Sequence, residues 1–508
     1  MKKGGLFKST LIVMLMTVIS RFIGFFRDIL IANNFGASVY TDAYKIAASI
    51  PDTIFAIVGL AISTSFLPML SKVKIKRGED EMHKFASNII SILSIISIII
   101  FIIASFFPDE IVKLLASGLS DEGLELASNL ARISLFNLLF LTINACFTAL
   151  LQVHEDFIVP SILGLFFNLP IIIYLLLFKD YNIYGLTVAN VVGNFLRVVV
   201  QVPSLMKHKY IYKPFINIKD EGVRNILILI GPVLIGAGAN SLNMIVDKRI
   251  ASSLQVGAIT TLDNAQLLIV FINTIITTSI STVAYPILAN RRNEGKNKEF
   301  LEVLSKSILF LAILLIPISI GTIIFREEII TIVYKRGNYG SEAVKLAVLA
   351  LTGYAVGIFF TGVRDILNST LFSMGKTKIT AQNGIIGVII NIVLSILLSR
   401  KFGILGISLS SSIAMMVTSL LLFRSIIKLI GDFEFTPLLT KLLKIIISTA
   451  VMTFSIVFIK NLINSTSMIL NLIIGVSIGV LVYFASMILL KVEELKEIIC
   501  LIKKKEIK

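Results

Sequence analysis

The chain has 508 residues, of which 56% are hydrophobic and only 15% charged, with a mean hydropathy of +0.92. A water-soluble fold of this length cannot hide so much apolar surface, so the composition excludes a soluble globule and predicts a polytopic membrane protein. The net charge of +16 would suit a nucleic-acid binder, but the basic residues fall mainly in short loops between apolar runs, where the positive-inside rule accounts for them.

Lys2, Lys3 and Lys8 ahead of an apolar run mimic a signal peptide. That run contains Arg21 and lacks a small-residue cleavage site, so it reads as a retained first helix. Apolar segments of about 20 residues or more then predict about fourteen spans in an all-α membrane fold. The first seven fall near 9–32, 42–71, 85–107, 124–152, 157–178, 184–206 and 226–247. The second seven fall near 260–290, 301–325, 343–373, 380–399, 404–428, 438–460 and 467–490. Basic residues cluster at the N-terminus and in Lys72–Lys84, Lys207–Arg224, Arg291–Lys298, Lys376 with Lys378, and Lys503–Lys508. Asn33–Thr41, Pro108–Gly123 and Asn461–Ser467 are poorer in positive charge, with Arg249, Lys335 and Arg336 as exceptions. Both termini are therefore expected in the cytoplasm of a bacterial cell, with the chain passing through its plasma membrane many times.

An internal repeat organises the spans. Gly36-Ala37 with Asp42 recurs as Gly257-Ala258 with Asp263, displaced by 221 residues, and the same displacement relates Tyr184 to Leu405. The run I-S-T-S-F-L-P-M-L ending at Leu70 recurs as I-S-T-V-A-Y-P-I-L ending at Leu288, and Gly164 and Asn168 recur as Gly387 and Asn391. Six spans per repeat is an even number, so both copies share one orientation and imply a pseudo-twofold along the membrane normal. The expected domains are a six-helix lobe over 1–206, an interfacial linker over 207–225, a second six-helix lobe over 226–428, and helices thirteen and fourteen with a basic tail over 429–508. The linker mixes aromatic residues with lysines, which suits an anionic membrane surface as well as a plain solvated connection.

Charged residues inside the spans carry the chemistry. Arg21, Arg27, Asp28, Asp42 and Lys45 lie within or beside the first two spans, where an ion facing lipid costs at least ~2.5–3.5 kcal/mol. They line a wet cavity, or they form ion pairs that hold helices together. Arginine suits a phosphate or pyrophosphate because its planar fork donates two parallel hydrogen bonds and keeps its charge. Arg21 and Asp28 are seven residues apart and share a helix face. Arg27 points elsewhere unless the helix bends, for which Gly24 is a suitable place, and Pro51 should kink the second span. Arg364-Asp365 is a further intramembrane pair, either lining or structural. Asp247 near the end of the seventh span, Asn391 and Ser395 four apart on one helix face, and Ser411 offer oxygen ligands that suit a hard monovalent cation, or ordinary interhelical hydrogen bonds.

Other signals are weak. Gly375-Lys376-Thr377 lacks the upstream glycine of a phosphate-binding loop, and Cys146 and Cys500 suggest no disulfide framework. His83, His154 and His208 fall in predicted loops and form no recognisable metal or catalytic set. No nucleophile–base arrangement is visible, so the sequence predicts a non-enzyme without a cofactor.

The run S-R-F-I-G-F-F-R-D from Ser20, followed by F-G-A and T-D-A-Y, closely resembles the first-helix signature of the lipid II flippase family (MurJ, formerly MviN). That family belongs to the multidrug/oligosaccharidyl-lipid/polysaccharide exporter superfamily, and the resemblance extends over the whole chain. It implies alternating access by two lobes, moving an undecaprenyl-pyrophosphate-linked peptidoglycan precursor to the outer leaflet, with the lipid tail in a groove by helices thirteen and fourteen. It maps Arg21, Arg27, Asp28 and Asp42 onto family positions, and a sodium site onto Asp247, Asn391, Ser395, the Ile407 carbonyl and Ser411.

The chain also departs from the family pattern. Ser395 replaces an aspartate of that cation site, and the arginine and glutamate of the family's second helix are missing from the run starting at Ile50. The eighth-helix arginine is replaced within Asn264-Ala265-Gln266-Leu267. Lys45, Arg249 or Arg364 would then stand in as cationic contacts, or the head group differs from lipid II. Rival readings are a flippase for another polyprenyl-linked oligosaccharide and a cation-coupled drug antiporter. Sodium or proton is the expected coupling ion, membrane lipids the surroundings, and a monomer the expected state.

Overall fold

Inside a bilayer every backbone polar group must find an internal partner, and apolar runs of this length meet that demand as helices. The computed structural model describes residues 3–220, 222–224, 241–431, 433–462 and 467–495, and every regular element among them is helical. The first half holds α1 (Lys3–Phe35), α2 (Val39–Ala61), α3 (Leu67–Arg77), α4 (Glu79–Phe106) and α5 (Pro108–Ala116). It continues with α6 (Asp121–Ser134), α7 (Asn137–Val153), α8 (Ile158–Leu177) and α9 (Ile183–Lys207). A helix over 241–252, here α10, leads to α11 (Ala258–Asn293), α12 (Asn297–Ile324), α13 (Arg326–Tyr334), α14 (Ser341–Val356) and α15 (Ile358–Ser373). The last helices are α16 (Thr377–Phe402), α17 (Ile404–Ile430), α18 (Phe435–Leu462) and α19 (Met468–Leu489).

Among the described residues, 10 helices are long and apolar enough to cross a membrane, with α6 and α7 together making one of them. The pair α14 and α15, bent by 45°, makes an eleventh. The helices α1 and α2 lie where the first two spans are expected, and the span expected at 226–247 lies largely outside the described residues. The helix α2 continues through Pro51, and the register break of the second span comes at a π-helical turn over Ile62–Phe66.

The element order itself repeats. A long helix, a short one, a broken pair and two long helices occur as α4 to α9 and again as α12 to α17. The short members α5 and α13 both follow a phenylalanine, Phe107 and Phe325, and both carry two acidic residues in the first turn, where the helix dipole favours them.

Two compact units divide the chain: Met1–Thr260 with Arg336–Gly340, and Thr261–Lys335 with Ser341–Lys508. In the first unit α1 packs on α8, α8 on α9, and α2 on α6 and α7. The loop 336–340 joins this unit because Asn338 donates its backbone N–H to the Asn33 carbonyl at 2.9 Å and its amide to Asn34. Gly36 and Gly337 permit the approach. Both have left-handed backbones, φ +66° and +54°, and a Cβ on either would lie 2.3 Å from a backbone oxygen of the other strand of the contact.

The opposite end of the first unit has an apolar core of Phe66, Leu70, Met82, Phe85, Phe147 and Leu150. The linker after α9 runs across α4 without helical structure to Asn217. Tyr210 and Tyr212 meet Ser87 and Ser91 through their hydroxyls at 3.2 and 2.9 Å, and Asn88 pairs twice with the Asn217 backbone. Ile211, Phe215, Ile216 and Ile218 stay exposed between lysines, the pattern of an interfacial strap.

In the second unit α17 packs on α14, α15 and α16, and α12 on α15 and α18. Ser412 donates to the Gly353 carbonyl at 2.6 Å, the small-residue packing expected between membrane helices. The last two helices are fixed to this unit: Tyr483 donates to the Ile313 carbonyl at 2.8 Å, and Lys460 pairs with Glu328 at 2.6 Å.

Candidate functional site

The first unit places a charged cluster among α1, α2, α8 and α9. Ser20 and Gly24 face α8, where Gly164 and Asn168 leave room for close helix contact. One turn further on, Arg27 reaches across to α8: one guanidinium nitrogen donates to Asn168 Oδ1 at 2.8 Å and another to Asp28 Oδ2 at 2.9 Å. Asp28 is buried and also lies 3.6 Å from Lys45 Nζ on α2. Three of the residues singled out in the sequence therefore meet, while Arg27 and Lys45 keep side-chain exposures of 19% and 18%. Such a partly open charged group is costly in hydrocarbon unless water or a ligand reaches it.

Three residues outside the sequence-based set, Arg197, Asp52 and Lys248, complete the cluster. Arg197 on α9 lies over the Phe167 ring at 4.1 Å, and Arg27 lies over the same ring at 5.3 Å. Asp52 on α2 interacts electrostatically with Arg197, Lys248 and Arg27. An amide chain supports the arrangement: Arg197 donates to Asn194, Asn194 to Asn137, Asn137 to Asn190, and Asn190 to the Tyr44 hydroxyl, at 2.9–3.1 Å. The Nε atoms of Arg27 and Arg197 are buried and lack a hydrogen-bond partner among the described residues. Four cations, Arg27, Lys45, Arg197 and Lys248, thus stand with two carboxylates, Asp28 and Asp52. The surplus positive charge and two undirected N–H donors suit an oxyanion with several acceptor oxygens.

The remaining residues of the sequence-based set lie elsewhere. Arg21 is exposed on the face of α1 shared with Asp28, so it is not packed into a dry helix contact, and α1 runs unbroken past Gly24. Asp42 is buried and accepts from the backbone N–H groups of Gly257 and Thr260 and from the Thr260 hydroxyl, at 2.7, 2.9 and 2.6 Å. It thereby caps the first turn of α11. Arg249 is exposed. Arg364, in the second unit, spends two of its donors on Asp365 and one on Met415 Sδ. Of the expected cation ligands, Ser395 donates to Asn391 Oδ1 at 3.3 Å on α16, and Ser411 to the Ile407 carbonyl at 3.5 Å on α17. Asp247 falls in the first unit, where Asn243 donates to it at 3.5 Å.

The family model described as lipid II flippase MurJ matches residues 31–485. The chain belongs to the MurJ lipid II flippase family. A probable lipid II flippase MurJ of Buchnera aphidicola subsp. Schizaphis graminum is 30% identical over 470 residues, covering 90% of each chain. A lipid II flippase MurJ of Burkholderia cenocepacia is 24% identical, with 83% of this chain and 84% of that one covered. A solved lipid II flippase MurJ in an inward closed conformation superposes with a TM-score of 0.81 at 26% identity, over 95% of this chain and 99% of that one. An inward-facing multidrug-resistance MATE transporter of the MOP superfamily matches with a TM-score of 0.69 at 13% identity, over 83% of this chain and 99% of that one, which shows the fold alone. Multiple apolar helices and MurJ membership make this a multi-pass membrane protein of a transporter family.

Proposed function

We propose that this protein is a lipid II flippase, translocating the undecaprenyl-pyrophosphate-linked peptidoglycan precursor from the inner to the outer leaflet. The observation that carries this reading, beyond family membership, is the cationic surplus around Phe167. Arg27 and Arg197 share one ring, and each keeps a buried Nε without a hydrogen-bond partner among the described residues, in a half-buried cluster that also holds Lys45 and Lys248. A pyrophosphate is the lipid-borne group whose charge and acceptor geometry answer such a set. The same surplus argues against a carrier of cationic drugs, which needs acidic or apolar lining. Transport proceeds without covalent chemistry, by alternating access of two six-helix lobes in a fourteen-span monomer with cytoplasmic termini. An ion gradient or the membrane potential drives it, and Asp247, Asn391, Ser395, Ile407 and Ser411 are the residues to examine for sodium. Arg21, Arg249 and Arg364 offer further contacts for the head group as it moves.

Depletion in a cell without a second flippase tests the proposal. Lipid-linked precursor is expected to accumulate on the inner leaflet, with loss of its accessibility to outer-leaflet probes and arrest of wall synthesis. Arg27→Ala is expected to reproduce this at normal protein levels. Undiminished outer-leaflet lipid II after full depletion rejects the reading, and accumulation of a different polyprenyl-linked sugar in its place identifies another cargo.

A further inference from the structure

His83, His154 and His208 are scattered over the sequence, yet the first unit brings them to one place, on the membrane side where α3 ends, α4 begins, α7 ends and α9 ends. His83 Nε2 and His154 Nε2 face each other at 3.4 Å. His154 Nδ1 lies 3.2 Å from a Glu79 carboxylate oxygen. Ligand atoms of Glu79, His83 and His154 all fall within 4.8 Å of one another.

We propose that Glu79, His83 and His154 form a binding site for a divalent transition-metal ion of the Zn2+ class. Two nitrogen donors at normal Zn–N length and tetrahedral angle stand about 3.3 Å apart, so the two imidazoles already have ligand spacing. The same 3.4 Å is long for a hydrogen bond between two rings. The third donor closes by a side-chain rotation, because Glu79 is 54% exposed while the His154 side chain is only 3% exposed. Two histidines and a glutamate leave a fourth position for water, which makes the ion exchangeable.

The surroundings hold the rings in place. His208 stacks on His154 with centroids 4.4 Å apart and planes at 16°. Asp156, 3.9 Å from His208 Nε2, is itself fixed by the Ser204 hydroxyl at 2.5 Å. Tyr210 packs edge-on against His83. Glu155 and Lys209, beside His154 and His208, both adopt left-handed backbones (φ +60° and +58°) that non-glycine residues rarely take. Lys74 opposes a cation, with Nζ 3.4 Å from His154 Nδ1, and the Val153 carbonyl at 3.4 Å gives it another partner. A bound ion would pin the start of α4 to the turn between α7 and α8, a role independent of the lipid cargo.

The test uses the full-length protein in detergent, stripped with EDTA, then titrated with Zn2+ by calorimetry and with Co2+ by visible absorption. One Zn2+ per chain, a four-coordinate Co2+ spectrum and a Zn2+-dependent rise in melting temperature are expected. His83→Gln and Glu79→Gln should each weaken binding by about 10-fold or more. Lys74→Met should tighten it. Unchanged melting of the variants without metal confirms that they are folded. Absence of saturable Zn2+ binding, or equal affinity in the parent and both weakened variants, overturns the site.

Discussion

At Phe167 two like-charged guanidinium groups rest on one aromatic ring, an arrangement that packing alone gives no reason to assemble. Each cation–π contact contributes roughly 0.5–2 kcal/mol, depending on desolvation, and partly offsets the cost of burying both charges. Arg197→Ala should therefore leave a folded protein but cut transport of the pyrophosphate lipid. Arg197→Lys should recover only part of it, because an ammonium lacks the planar fork. Arg21 supplies the contrast, since it is exposed. Arg21→Ala is expected to shift unfolding by less than about 0.5 kcal/mol while abolishing complementation. A variant set in which melting falls in step with activity would make these arginines structural. Arg27 and Asp28 were legible from charge inside an apolar run, and Arg197 met the same criterion within the sixth span. Its pairing with Phe167 was not legible, because it depends on how α8 and α9 pack, which no local pattern encodes.

Between elements, Asp42 shows how a sequence signal can mark a position without giving its contacts. The repeated Gly-Ala and aspartate mark the position, and burial in a membrane span suggested a cargo contact. The carboxylate instead satisfies two backbone N–H groups and a hydroxyl at the start of α11, more than 200 residues away, so the role is visible only in three dimensions. Removing a charged acceptor strands buried donors at about 1–3 kcal/mol each. Asp42→Ala should therefore lower stability by about 3 kcal/mol or more, seen as a fall in melting temperature in detergent and reduced protein level. Asp42→Asn, which retains one acceptor oxygen, should fall between. If both variants melt like the parent and only cargo binding suffers, the capping role is wrong. The histidines were missed for a related reason: His83 lies in the first turns of α4 rather than in the expected loop, His154 and His208 just past α7 and α9, and only the meeting of these helix ends makes a set of them.

Across the whole molecule, the helix positions were legible because hydropathy in a membrane is a one-dimensional signal: each span must cross about 30 Å of hydrocarbon. The break in the fourth and tenth spans was not, since the turns before Asn137 and Ile358 interrupt the helix without interrupting its apolar character. Orientation rests on Lys and Arg asymmetry, and the alternation of helices in the first unit turns it into a sharp test. The end of α3 and the start of α6 should face opposite compartments, with one membrane crossing by α4 between them. Ile75, 84% exposed on α3, and exposed Glu122 on α6 are suitable reporter positions. Cys146 is fully buried, so a background with Cys500→Ser should stay unlabelled by a membrane-impermeant maleimide. Ile75→Cys should then react only after the membrane is opened, and Glu122→Cys in intact cells. The reverse pattern would place the basic loops outside, put the histidine cluster on the outer face, and invert the direction of transport proposed for the cargo.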